Sequence, residues 1–148
     1  MNTTNNIKNI LLEQIKGYRE LLGLLQREKE CLIDLDATGI EGISKEKDTT
    51  ILRLRLLEEE RINLLKRFSE ENGIEGLTLQ RLYELTGDES LKGLRLQLIS
   101  ILQSIEELNE FNGILIERSL GFIRGSLEFL KTSGANPRIV ETTVSRKV

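Results

Sequence analysis

LKGLRLQLISILQSIEELNEFNGILIERSLGFIRGSLEFL, residues 91–130, decides how the rest of the chain is read. The stretch predicts one unbroken helix whose apolar pattern changes half-way along. With Leu91 at heptad position a, the d positions are Leu94, Ile101, Leu108, Leu115, Phe122 and Phe129. The a positions begin as Leu91, Leu98 and Ile105, then turn to Asn112, Ser119 and Ser126. A row apolar at both a and d is a coiled-coil seam, because 3.5-residue spacing keeps it facing its neighbours. Beyond Asn112 that seam weakens and a second row appears beside it: Ile116, Leu120, Ile123, Leu127 and Leu130, at spacings of 4, 3, 4 and 3. A helix apolar on two sides needs two neighbours. Leu115, Phe122 and Phe129 are expected to face one within the chain, leaving the second row spare.

The remaining composition supports a helical reading. The 148 residues suffice for one domain with a real core. Charged residues are 30% and Pro occurs once, as expected of long helices in a bundle or coiled coil. The net charge of −3 provides no global basic field for nucleic acid. Residues 1–6 lack a basic segment followed by an apolar run, so no signal peptide is expected. No run is apolar enough to span a membrane. The lone Cys31 cannot form an internal disulfide and reads as buried filler; a reducing cytoplasm fits.

Taken in order, the chain predicts an antiparallel up-down-up arrangement of three long helices. The first is expected over about Asn6–Asp36, with Gln14 and Glu28 interrupting its apolar heptad and Gly17 and Gly23 inside it. Ala37–Ile43, with Gly39 and Gly42, reads as a turn, and Ser44 as the cap of the second helix. Gly73 suits the left-handed position after that helix. Residues 74–88 form an apolar connection in which Thr78 caps a short helix carrying Leu79, Leu82, Tyr83 and Leu85, closing the bundle end. Asp88 then caps a third long helix to about Lys131, roughly 65 Å long at 1.5 Å per residue. The expected seam includes Leu21, Leu25, Leu57, Leu64, Leu98, Ile101 and Ile105. The third helix should overshoot the first turn by roughly 20 Å. Residues 1–133 are thus expected as one helical domain. Residues 134–148, with Pro137, Arg138, Arg146 and Lys147, are expected as a disordered tail.

The overshoot contains the candidate partner-binding residues: Asn112, Ile116, Ser119, Leu120, Gly121, Ile123, Gly125, Leu127 and Leu130. Glycines inside a helix cost about 1 kcal/mol each relative to Ala, and here they suggest close approach by a partner helix. An amide at the a position of Asn112 costs stability unless paired. It is expected to mark the end of the intramolecular seam, so that Asn112→Leu would raise the melting temperature. No chemistry competes with a binding role. The chain has no His and one Cys, and neither a phosphate-cradling nor a dinucleotide-binding glycine motif. Its carboxylates are scattered over helix surfaces. No enzyme, cofactor or metal is expected.

Ile33-Asp34-Leu35-Asp36 ahead of Ser44-Lys45-Glu46-Lys47 resembles the FlgN family of flagellar type III export chaperones. So does Leu108-Asn109-Glu110-Phe111-Asn112-Gly113-Ile114-Leu115-Ile116-Glu117-Arg118-Ser119-Leu120 followed by Phe122-Ile123. The resemblance covers about residues 7 to 134. It implies a small helical cytoplasmic chaperone that holds C-terminal segments of hook-associated proteins and hands them to the flagellar export gate. Some members dock to the gate through a tyrosine in the tail; the residues after Leu130 contain none. The residues alone leave open a client chaperone acting as a monomer or weak homodimer, a structural homodimer, and a coiled-coil adaptor.

Overall fold

The computed structural model describes residues 2–133, apart from the side chains of residues 2 and 133. The expected tail, 134–148, lies outside the described residues. All secondary structure among them is helical: α1 (Asn2–Asp34), α2 (Ala37–Asn72), α3 (Leu79–Thr86) and α4 (Glu89–Ser133).

Local chemistry sets each boundary. Leu35 takes a left-handed φ of 57°, letting the Asp36 amide return to the Cys31 carbonyl at 2.9 Å and close α1. Asp36 immediately caps α2, its side chain accepting from the Gly39 amide at 2.9 Å. The expected turn at Ala37–Ile43 is therefore helix, and Ser44 lies inside α2 rather than capping it. Gly39 permits this start, since a Cβ there would fall 2.8 Å from Cys31 Sγ and collide with the Asp36 carboxylate. Gly73 ends α2 with φ 64°. Thr78 caps α3 through the Arg81 amide at 3.1 Å, and Gly87 ends it with its amide 2.7 Å from the Tyr83 carbonyl. Asp88 caps α4 through the Ser90 amide at 3.0 Å.

Polar contacts between helices fix the directions. Gln14 meets Glu58 at 2.7 Å, Arg27 meets Glu46 at 3.1 Å and Glu28 meets Lys47 at 2.8 Å, so α2 runs antiparallel to α1. Lys8 meets Asp88 at 2.7 Å, and Asn112 reaches Leu25 and Glu28, so α4 runs parallel to α1. The helix α1 is central. Both α2 and α4 pack on it, while their own backbones do not meet among the described residues. The bundle is thus open on one side, unlike a closed three-helix arrangement, and α3 makes a fourth helix.

The core is one long interior in two parts. Ile7, Ile10, Leu11 and Ile15 of α1 pack with Leu64, Leu82, Leu91 and Leu98. Leu82 is fully buried, so α3 closes this end. Further along, Leu21, Leu25 and Leu54 pack with Ile51, Ile105 and Leu108. Of the seven expected seam residues, Leu21, Leu25, Leu64 and Leu98 are buried and Leu57, Ile101 and Ile105 half-buried. Gly17 lies where α1 and α2 cross closely: a Cβ there would sit 2.7 Å from Leu54 Cδ2. Gly23 faces open space.

Two polar layers interrupt this interior, supplied by the two α1 residues that break its heptad. Gln14 is 1% exposed and donates to Glu58, which also pairs with Arg61. Burial alone would raise the Glu58 pKa, but its bonds from Arg61 and Gln14 outweigh this and lower it. Glu28, 6% exposed, accepts from Lys47 and Asn112.

Candidate partner-binding surface

Among the described side chains of α4, Asn112 is the last that is buried, at 1% exposure. Its Nδ2 donates to the Leu25 carbonyl at 2.9 Å and to Glu28 Oε1 at 3.0 Å. The intramolecular seam does end here, but by a built polar bond. This corrects two expectations. The Nδ2 is engaged by α1 and unavailable to a partner, and replacing the residue with Leu removes two bonds as well as relieving the buried, unpaired Oδ1.

The register between α1 and α4 determines how much of α4 is covered. Glu28 lies level with Asn112, so α1, ending at Asp34, reaches only to Arg118. The last turns of α4, about 15 residues or roughly 22 Å, extend past it. Ile116, Leu120 and Leu127 are 42%, 46% and 50% exposed; Ile123 and Leu130 are half-buried. Ser119 is half-buried, and Gly121 and Gly125 are exposed. The expectation that the d row keeps facing a neighbour holds at Leu115, which is half-buried, and weakens at Phe122, which is exposed. Phe122, past the end of α1, is 39% exposed, and Phe129 is 62% exposed.

The distal glycines also differ from expectation. At about 100° per residue, Gly121 and Gly125 fall roughly 130–170° around the helix from the apolar row. Both face open space, so in this fold they allow no close approach along that row. Gly113 does lie on it, in the same heptad positions, and is likewise uncovered.

The same row continues backward through Asn109, Glu106, Leu102 and Ile99, still at 3–4 spacing. Sequence reasoning misses this continuation, because Glu106 and Asn109 mask the period. Ile99 and Leu102 are 36% and 41% exposed and line a groove between α2 and α4. Its other wall includes Leu65, Leu77 and Leu79; Gln14 and Tyr18 form its floor. Burial and then Glu58 raise the Tyr18 pKa, which keeps its hydroxyl protonated. Cys31 is half-buried rather than buried. Desolvation and the nearby Asp36, Asp34 and Glu30 raise its thiol pKa, the reverse of what a nucleophile needs. Among the described residues no cluster of His, Cys, Asp or Glu could hold a metal, and no helix is long and apolar enough to cross a membrane.

An all-helical chain with an uncovered apolar face is matched by the family model described as FlgN protein over residues 1–139. The chain belongs to the FlgN family. This is a family of flagellar type III secretion chaperones, and its members work by holding other flagellar proteins. No curated protein and no solved structure matches the chain. In this FlgN chain the distal α4 row is an apolar surface with a helical period that the α1–α2–α4 interior leaves uncovered.

Proposed function

We propose that this FlgN chain is a cytoplasmic export chaperone that holds a helical C-terminal segment of a hook-associated protein on the distal half of α4. In this reading the segment is kept unassembled there until it passes to the export gate. The observation that supports it is the row Ile116, Leu120, Ile123, Leu127 and Leu130, which carries a coiled-coil period and continues past the end of α1. Anchors at such spacing suit helix-in-groove recognition.

Burying a Leu side chain contributes roughly 1.5–3 kcal/mol. Replacing Leu120 and Leu127 together by Glu should therefore weaken client binding by at least tenfold, since about 1.4 kcal/mol is one decade. Both side chains are about half exposed, so the melting curve of the free protein should barely move. Titration calorimetry against the C-terminal peptide of a hook-associated protein provides the test. Unchanged affinity would refute the site, and a collapsed fold would make the row ordinary core.

A further inference from the structure

In a square bundle each helix touches its two neighbours and misses the one on the diagonal. Here α1 packs against α2 and α4, whose backbones do not approach each other among the described residues although Leu64 and Leu98 share one core. These three helices occupy three corners, and the groove between α2 and α4 is the fourth. The α4 stripe facing that corner runs through Ile99, Leu102, Glu106, Asn109, Gly113, Ile116, Leu120, Ile123, Leu127 and Leu130. None of these ten residues is buried.

The charge along the stripe is ordered. Arg95 lies at its start; Glu106 sits on it, and Glu110 and Glu117 flank its middle; Arg124 and Lys131 flank its end. Residues 96–117 contain four Glu and no Lys or Arg. Among the described residues, Glu106, Glu110 and Glu117 have neither an ion pair nor a side-chain hydrogen bond. A second copy of α4 is a poor occupant, because antiparallel pairing on this stripe sets Glu110 against the other copy's Glu117. Like charges so placed are destabilising.

We propose that the fourth corner is filled along its whole length by a partner helix of about 32 residues, roughly 47 Å, apolar at 3–4 spacing and basic in its middle turns. This rests on the reading of α4 as the client-binding helix and extends it: the partner makes a second heptad seam from Ile99 to Leu130, and its basic middle meets Glu106, Glu110 and Glu117. Strict 3.5-residue spacing on α4 makes that seam a left-handed supercoil.

Two synthetic 32-residue peptides test it, both with Leu and Ile at 3–4 spacing, one with Lys and one with Glu flanking the middle turns. The Lys peptide should bind the full chain at least tenfold more tightly at low salt, with the gap narrowing as salt rises. Glu106→Lys, Glu110→Lys and Glu117→Lys together should reverse the preference. These side chains are exposed, and a melting curve checks that the fold persists. Ile99→Glu with Leu102→Glu should weaken the Lys peptide at least tenfold. If Leu120→Glu with Leu127→Glu abolishes binding while the Ile99 and Leu102 changes do nothing, the long seam is refuted and the distal site stands. If neither pair matters, both fall. No charge preference, or a concentration-dependent dimer that excludes both peptides, also overturns the proposal.

Discussion

Replacing Asn112 by Leu tests whether the polar layer at the end of the α1–α4 seam stabilises the fold. The variant loses a bond to the Glu28 carboxylate, worth about 1.5–3 kcal/mol, and one to the Leu25 carbonyl, worth about 0.5–1.5 kcal/mol. Leu returns roughly 1.5–3 kcal/mol of apolar burial if it fits. It must then lie against the buried Glu28 carboxylate, which retains only Lys47. Leu also removes the buried, unpaired Asn112 Oδ1, which offsets about 1–3 kcal/mol, while the Glu28 oxygen left bare costs a similar amount; the balance is a net loss of about 1 kcal/mol, a fall in melting temperature of about 2–4 °C for a domain of this size. Thermal melts followed by circular dichroism read it directly. Pairing the change with Glu28→Gln closes a double-mutant cycle, in which the two losses should add to more than the double variant shows. A melting temperature at or above that of the unsubstituted chain would refute the argument and restore the view that an amide at this position is merely tolerated.

Other perturbations test single contacts. Lys8 and Ser90 hold the Asp88 carboxyl at about 2, below its ordinary 3.8; a depressed folded pKa stabilises above pH 3.8 and is lost as pH falls through about 2. The stability gap between the chain and Asp88→Asn should thus be full at neutral pH and shrink between pH 4 and 2 in acid titrations. Gly17→Ala should destabilise, because its methyl meets Leu54 Cδ2 at 2.7 Å, while Gly23→Ala should stabilise by about 0.5–1 kcal/mol; urea melts separate them, and equal effects would deny the close crossing. Gly121→Ala with Gly125→Ala should increase amide protection in distal α4 without weakening client binding, and a clear loss of affinity would place the client's backbone on that face.

The sequence was most legible where one residue type has one structural use. Thr78 and Asp88 were expected to cap α3 and α4, and Gly73 to end α2; the structure places them so. Glycine misled where it has two uses. Gly39 and Gly42 suggested a turn, yet Gly39 is the space that lets Asp36 begin α2. Gln14, Glu28 and Asn112 read as flaws in apolar heptads because their partners lie 44, 19 and 84 to 87 residues away. Spacing along one helix cannot reveal a bond to another. For the candidate surface, the distal row was visible as surplus, whereas its continuation to Ile99 needed the gap between α2 and α4.

The division of α4 arises from where its neighbours stop. Its two seams are centred roughly 100° apart around the helix, the angle between adjacent sides of a square bundle. The first seam faces α1 and closes at Asn112, where a bonded amide fixes the register between the two helices. Had that seam stayed apolar through positions 112, 119 and 126, the overhang would present a third apolar row to solvent and invite pairing with any long helix. Ser119, Ser126 and the exposed Gly121 and Gly125 instead leave the b and e row as the main apolar face past the end of α1. A chaperone needs such an asymmetry: enough apolar surface in one direction to hold a helix, and carboxylates along it that disfavour a second copy of itself. Among the described residues every buried side chain lies between Ile7 and Asn112, and the distal α4 turns extend past α1, where the proposed partner would cover them.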